Sequence, residues 1–208
     1  PMYADRVAVV LVRSPVSAEE RAEAEKALLQ LADSAQLQLL AGTLHQTKPE
    51  GAVSIVNIFA ARRVVLPPLV IEEISGWPNP AVRKAVYSGL PNMVSPEAVQ
   101  VLLGLLQRVS DPEEVASVQR ALIAIAEPET SRIILQAAAA QKARLLPVLP
   151  YLRDPQSLNT VKNSFEKGQG EEMELAFAAL TNWQTGDAVP VLLSLLRDKS
   201  QASYHAKA

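Results

Sequence analysis

The sequence contains no cysteine and only two histidines, His45 and His205. Without cysteine the chain can form neither disulfides nor thiolate metal sites. The two histidines lie 160 residues apart, so neither has a second histidine at the four-residue spacing of a helical metal site. We predict no metal site and no cofactor, and we expect His45 to face solvent near a helix end.

Aromatic residues make up only 4% of the chain, and the formal net charge at pH 7 is −2. Few rings are therefore available to stack on bases, and no overall positive field exists to hold a phosphate backbone. Two local basic pairs remain, Arg62-Arg63 and Arg83-Lys84. We expect both pairs on solvated helix faces and predict no nucleic-acid partner.

Long apolar runs are absent, since none reaches the roughly 18 residues that a membrane-spanning helix needs. The stretch at residues 6–13 is apolar between two arginines but too short for the core of a signal peptide. We predict no membrane span, and the sequence does not indicate a compartment. The Pro1-Met2 start suggests a fragment of a longer chain, and we expect a natural continuation beyond Ala208.

Motifs of catalysis are also missing. There is no cysteine nucleophile, no Gly-x-Ser-x-Gly turn and no glycine-rich phosphate loop. Adjacent carboxylates such as Glu113-Glu114 diverge on a helix and are typical of a first turn or a solvated face. We predict that the chain has no catalytic residues and is not an enzyme.

Prolines, in contrast, are abundant and regularly placed. Pro80, Pro96, Pro112 and Pro128 follow one another at intervals of 16 residues, each after a residue that can cap a helix or open a turn. Proline is favoured at the first helical position, where its missing N–H would have no partner in any case. The spacing predicts four successive helices of about 12 residues each.

A longer repeat underlies these helices. Residues 90–110 and 180–200 are identical at ten of 21 aligned positions, at an offset of 90. Within the first copy, apolar residues recur at helical spacing at Val99, Leu102 and Leu106. A three-turn helix with one apolar stripe needs neighbours to cover it, and similar helices in an array supply them.

We therefore predict an all-α fold, a single repeat domain over residues 1–208. A leading helix near residues 3–13 and a trailing segment at 201–208 flank about six helical hairpins. The hairpins are predicted at residues 18–47, 48–78, 79–110, 111–141, 142–169 and 170–200.

Two places interrupt this regularity. Pro147 and Pro150 fall inside a predicted helix and should kink it. Pro67-Pro68 should delay or split the second helix of the second hairpin. Strands are the alternative for residues 6–13 and 62–71, which are rich in β-branched residues.

The sequences of the predicted hairpins resemble HEAT-like repeats. In residues 79–111 the likeness rests on the Asn79-Pro80 start, the Val82-Arg83 pair and Ala85. The resemblance covers about residues 20–200 and implies a right-handed α-α superhelix. Similar arrays, armadillo-like in kind, occur as segments of large bacterial multidomain proteins, some of which also have a glycosidase-like domain.

The resemblance implies a non-enzymatic protein-interaction or scaffold and spacer module. Its partner would be another protein or a neighbouring domain of the same chain. The alternative is an accessory repeat domain of a larger bacterial enzyme, with catalysis elsewhere in that chain. HEAT-like di-iron enzymes such as deoxyhypusine hydroxylase use His-Glu pairs, whereas this chain has His45-Gln46 and His205-Ala206. As an enzyme it would most resemble a DNA glycosylase or a chromophore lyase.

Three residues are the predicted partner contacts: Trp77, Arg83 and Lys84. Trp77 stands at a helix end before a proline, and no apolar residue occupies the aligned turn positions of the other repeats. Arg83 and Lys84 form a basic pair in the next helix. Trp183, which aligns with Met93, is expected in the core.

Overall fold

The computed structural model describes residues 11–12, 17–152 and 154–197. From residue 17 onward these residues form twelve α-helices, and no strand occurs in the described part of the chain, which confirms the all-α prediction. The strand alternative for residues 62–71 is therefore wrong. The predictions for residues 3–13 and 201–208 lie outside the described residues, except that Leu11 and Val12 are helical. The helices are α1 (Ala18–Leu31), α2 (Ser34–Ala41), α3 (Pro49–Arg62), α4 (Pro68–Ser75), α5 (Pro80–Gly89), α6 (Val99–Arg108), α7 (Pro112–Ala124), α8 (Pro128–Ala137), α9 (Lys142–Leu145), α10 (Gln156–Lys167), α11 (Glu171–Thr181) and α12 (Val189–Arg197).

The evenly spaced prolines begin helices, as predicted. Pro80, Pro112 and Pro128 are the first residues of α5, α7 and α8. Pro96 begins a 3-10 turn that leads directly into α6. The side chain of Asn79 accepts hydrogen bonds from the first backbone N–H groups of α5 at 2.9 and 3.2 Å. These bonds satisfy donors that have no partner inside the helix.

The two predicted interruptions occur where the extra prolines stand. Helix α4 begins only at Pro68, after an extended connector from α3. Pro147 and Pro150 have a larger effect than the predicted kink, because α9 ends at Leu145 and a separate 3-10 turn, Leu149–Tyr151, follows. Proline has no N–H for the helical ladder and clashes with the preceding turn, so the helix stops there.

The chain divides into two compact units, and the first is Pro1–Ala124. In this unit helices two apart in the chain pack together: α1 with α3, α3 with α5, α5 with α7, and α4 with α6. Consecutive helices also meet, as α4 with α5 and α6 with α7 do. This pattern places α1, α3, α5 and α7 side by side in chain order, and α4 beside α6.

Two close contacts fix neighbouring turns in this unit. The backbone N–H of Leu66, in the connector before α4, donates to the carbonyl of Met93, in the turn before α6, at 2.8 Å. Helices α3 and α5 also approach closely where Gly89 lies beside Ala60. A Cβ atom on Gly89 would stand 2.7 Å from the Ala60 Cβ, which no real pair of carbon atoms tolerates.

The second unit is Ile125–Ala208. Helix α10 packs against α11, and the rings of Phe165 and Phe177 join them at a centroid distance of 6.0 Å. Lys142 of α9 forms an ion pair with Glu172 of α11 at 3.3 Å. The predicted hairpin at residues 111–141 contributes α7 to the first unit and α8 to the second.

Candidate interaction site

The three predicted partner contacts lie at the start of α5 and in the turn before it. Trp77 is half-buried, and its carbonyl accepts a hydrogen bond from the Arg83 guanidinium at 3.4 Å. Arg83 also pairs through Nε with Glu114 Oε1 of α7 at 2.8 Å. Lys84 is exposed. The structure therefore joins Trp77 to Arg83 by a hydrogen bond. Arg83 is also paired with a carboxylate of the fold, whereas Lys84 is exposed to solvent.

Lys84 lines an open cleft of about 520 Å³ between α5 and α7. Cations and carboxylates share its surface, with Lys84 and Arg120 opposed by Asp111, Glu113 and Glu114. The side chain of Arg120 donates to the hydroxyl of Ser117 at 2.8 Å, which orients it along α7. Both charge signs on two rigid helices suit contact with a polar protein segment.

The Tyr87 ring forms the apolar wall of this polar cleft. Burial raises the pKa of the Tyr87 phenol, and the Glu114 carboxylate adds to the rise against the opposing charges of Arg83 and Arg108. A buried phenolate beside a carboxylate is unfavourable, so the phenol keeps its proton at physiological pH.

We expect Tyr87 to make the fold less stable in alkali. The pKa of Tyr87 in the folded chain lies above its ordinary value of 10.0, so its contribution to stability is complete below that pH and is lost as pH rises through the folded pKa. Urea unfolding between about pH 9 and 12 should show the loss in the natural chain and a smaller loss in Tyr87→Phe. Parallel pH curves for the two proteins would contradict the assignment.

A second surface, which sequence reasoning missed, is an apolar groove of about 480 Å³. It lies at the end of α2, the connector before α4 and the turn before α6. Leu39 on α2 and Leu69 on α4 adjoin it in sequence and are 74% and 79% exposed, and Val65 within it is 45% exposed. The groove is lined by Gln38, Ala41, Gly42, Val65, Leu66, Pro67, Pro68, Val70, Ser95 and Glu97.

The sequence does contain a weak signal for this groove. Leu37 and Leu40 follow the buried stripe of α2, whereas Leu39 lies off that stripe. In α4 the buried residues are Ile71 and Ile74, and Leu69 lies off their line. An off-stripe leucine predicts an exposed side chain, but the sequence does not show which surface that side chain adjoins.

The other candidate residues show no comparable cluster. His45 is exposed in a 3-10 turn, as predicted, and His205 lies outside the described residues. Arg62 is exposed but donates to the carbonyls of Leu29 and Ala32, so it ties α3 to the end of α1. In the part of the chain that the structure describes, no three potential metal-ligating side chains come together.

None of the described helices has both the length and the apolar character to cross a bilayer. Comparison with protein-family models gives no match, and comparison with curated proteins gives none either. The resemblance to HEAT-like repeats therefore rests on the sequence pattern.

Proposed function

We propose that the chain is a HEAT-like α-solenoid that acts as a non-enzymatic protein-interaction or scaffold module. Its proposed architecture is a right-handed superhelix of about six hairpins. The alternating packing of the first unit supports this architecture, because α1, α3, α5 and α7 lie side by side in chain order and α4 lies beside α6. Hairpins of a repeat array stack in this way, each burying the apolar face of its neighbour.

The apolar groove is the observation that favours binding over a spacer role. The lining is mainly apolar and includes Val65, which is 45% exposed; the exposed Leu39 of α2 and Leu69 of α4 are next in sequence to lining residues. Contiguous apolar surface on a folded protein marks interaction sites, whereas scattered single residues do not. A spacer is expected to show small polar side chains at these positions.

The partner's chemistry follows from the lining of the groove. Its walls would receive branched aliphatic or aromatic side chains, and Glu97 supplies a negative charge at one side. We propose a protein segment with apolar anchors and one basic residue, from another protein or from a neighbouring domain of the same chain. Trp77, Arg83 and Lys84 remain proposed contacts around the polar cleft.

Selection of displayed peptides against the purified full chain tests this function. We expect selected peptides to share apolar anchors and a basic residue, and to bind Leu69→Asp at least about tenfold more weakly, because a carboxylate would meet the anchors. Glu97→Lys should weaken the same peptides by repelling their basic residue.

Leu29→Asp serves as a matched control, because it changes another exposed leucine on a different helix, α1, outside both proposed binding surfaces. It should leave peptide binding unchanged. Peptides that bind Leu69→Asp as well as the natural chain would place the contact elsewhere. If no selected peptide binds more tightly than about 100 μM, the chain is a spacer.

A further inference from the structure

The two copies of the repeated sequence fold alike. Residues 96–98 and 186–188 each form a 3-10 turn, and α6 and α12 follow them at the same offset. Leu90 and Leu180, which begin the copies, are both buried. Identical residues in α6 and α12 can therefore be compared position by position.

The two copies differ in how deeply their aligned side chains are buried. Val99 and Leu103 of α6 are 5% and 6% exposed, whereas the aligned Val189 and Leu193 of α12 are 50% and 48% exposed. Trp183, expected in the core, is only half-buried where the aligned Met93 is fully buried. The expectation for Trp183 is thus corrected, since an aligned position is buried only when a neighbouring element covers it.

Helix α6 shows which kind of element does the covering. It packs against α4 on one side and α7 on the other. The buried stripe of α7 consists of Val118, Ala121 and Leu122, at helical spacing i, i+3 and i+4. Helix α7, which follows α6 in the chain and packs on it, thus buries a stripe of small and branched aliphatic side chains.

We propose that the exposed face of α12, formed by Val189, Leu192 and Leu193, is a docking surface for an amphipathic helix of the α7 type. The occupant presents a stripe equivalent to Val118, Ala121 and Leu122, because α12 repeats much of the sequence of α6, the helix on which α7 packs. Leu192 is half-buried, whereas its counterpart Leu102 is fully buried, so Leu192 also has less cover than the aligned residue of α6. This inference concerns a different surface from the apolar groove and does not depend on the proposed function.

The test extends the full chain beyond Ala208 by a flexible Gly/Ser linker and a second copy of residues 111–141. The linker holds the added helix at a high effective concentration, so weak docking is measurable. Hydrogen exchange at the amides of α12 should slow at least about tenfold relative to the unextended chain. Val118→Asp with Leu122→Asp, made only in the added copy, should restore the original exchange rates, and so should Leu193→Asp in α12.

Two results would overturn the proposal. One is that hydrogen exchange at the α12 amides is equally fast in the extended and unextended chains, or that it slows equally when the added copy carries Val118→Asp and Leu122→Asp. The other is slowing of α12 in the unextended chain as its concentration rises, together with a doubled mass in sedimentation. That second result would assign the face to another copy of the same chain.

Discussion

Leu103→Ala should lower the free energy of unfolding by about 2–5 kcal/mol, whereas Leu193→Ala should lower it by less than about 1 kcal/mol. Both leucines occupy the same position of the repeated sequence, on α6 and α12. Truncation of buried Leu103 removes its transfer free energy and leaves a cavity. Leu193 is half-exposed, so its truncation removes less buried surface and leaves no closed cavity.

Urea unfolding followed by circular dichroism measures the pair. Because the chain has two compact units, each variant is compared with the natural chain in the transition that it perturbs. Equal losses at the two positions would show that α12 is as fully covered in solution as α6. The comparison is matched, since the residue removed is the same and six of the eight residues at 99–106 recur at 189–196, apart from Gln100/Pro190 and Gly104/Ser194.

Gly89→Ala and Gly104→Ala should change stability in opposite directions. Gly89 ends α5, and a methyl group there would meet Ala60 of α3, so we expect a loss of about 1–3 kcal/mol as the helices separate. Gly104 lies within α6 and a methyl group there would meet nothing within 4 Å. Alanine is the better helix former, so that change should add about 0.5–1 kcal/mol.

A double-mutant cycle checks the cause of the first effect. Ala60→Gly removes the methyl group that the new alanine would strike, so Gly89→Ala should cost less in the Ala60→Gly background. Met93 Cε would still lie 3.2 Å from the new atom, so we expect partial rather than full recovery. Strictly additive losses would contradict the close approach of α3 and α5.

Local signals predicted the helices well. The regular spacing of the prolines predicted the starts of α5, α7 and α8, because the preference of proline for the first helical position is a local property of the backbone. The prolines at 147 and 150 gave the position of the break but not its extent. Whether a proline kinks a helix or ends it depends on the packing that holds the far side, and the sequence does not display that packing.

The candidate surfaces were harder to predict for a related reason. Periodicity identifies the face of a helix that needs covering, and it does not say whether a neighbour covers it. Leu103 and Leu193 have closely similar sequence contexts, yet one is buried and the other is half-exposed. The apolar groove likewise joins residues from three separate segments. Of the predicted contacts, Lys84 was assigned correctly to an exposed helix face, whereas the ion pair of Arg83 with Glu114 required the packing of α5 on α7.

The hydrogen bond from Leu66 to Met93 has a consequence for how this protein can vary. It joins two backbone groups, so it holds the path of the connector whatever side chains stand on either side. Val65 and Pro67 flank it and are exposed in the apolar groove. On the proposed function of the groove, substitutions at these two positions would therefore change the surface offered to a partner while this backbone hydrogen bond is retained.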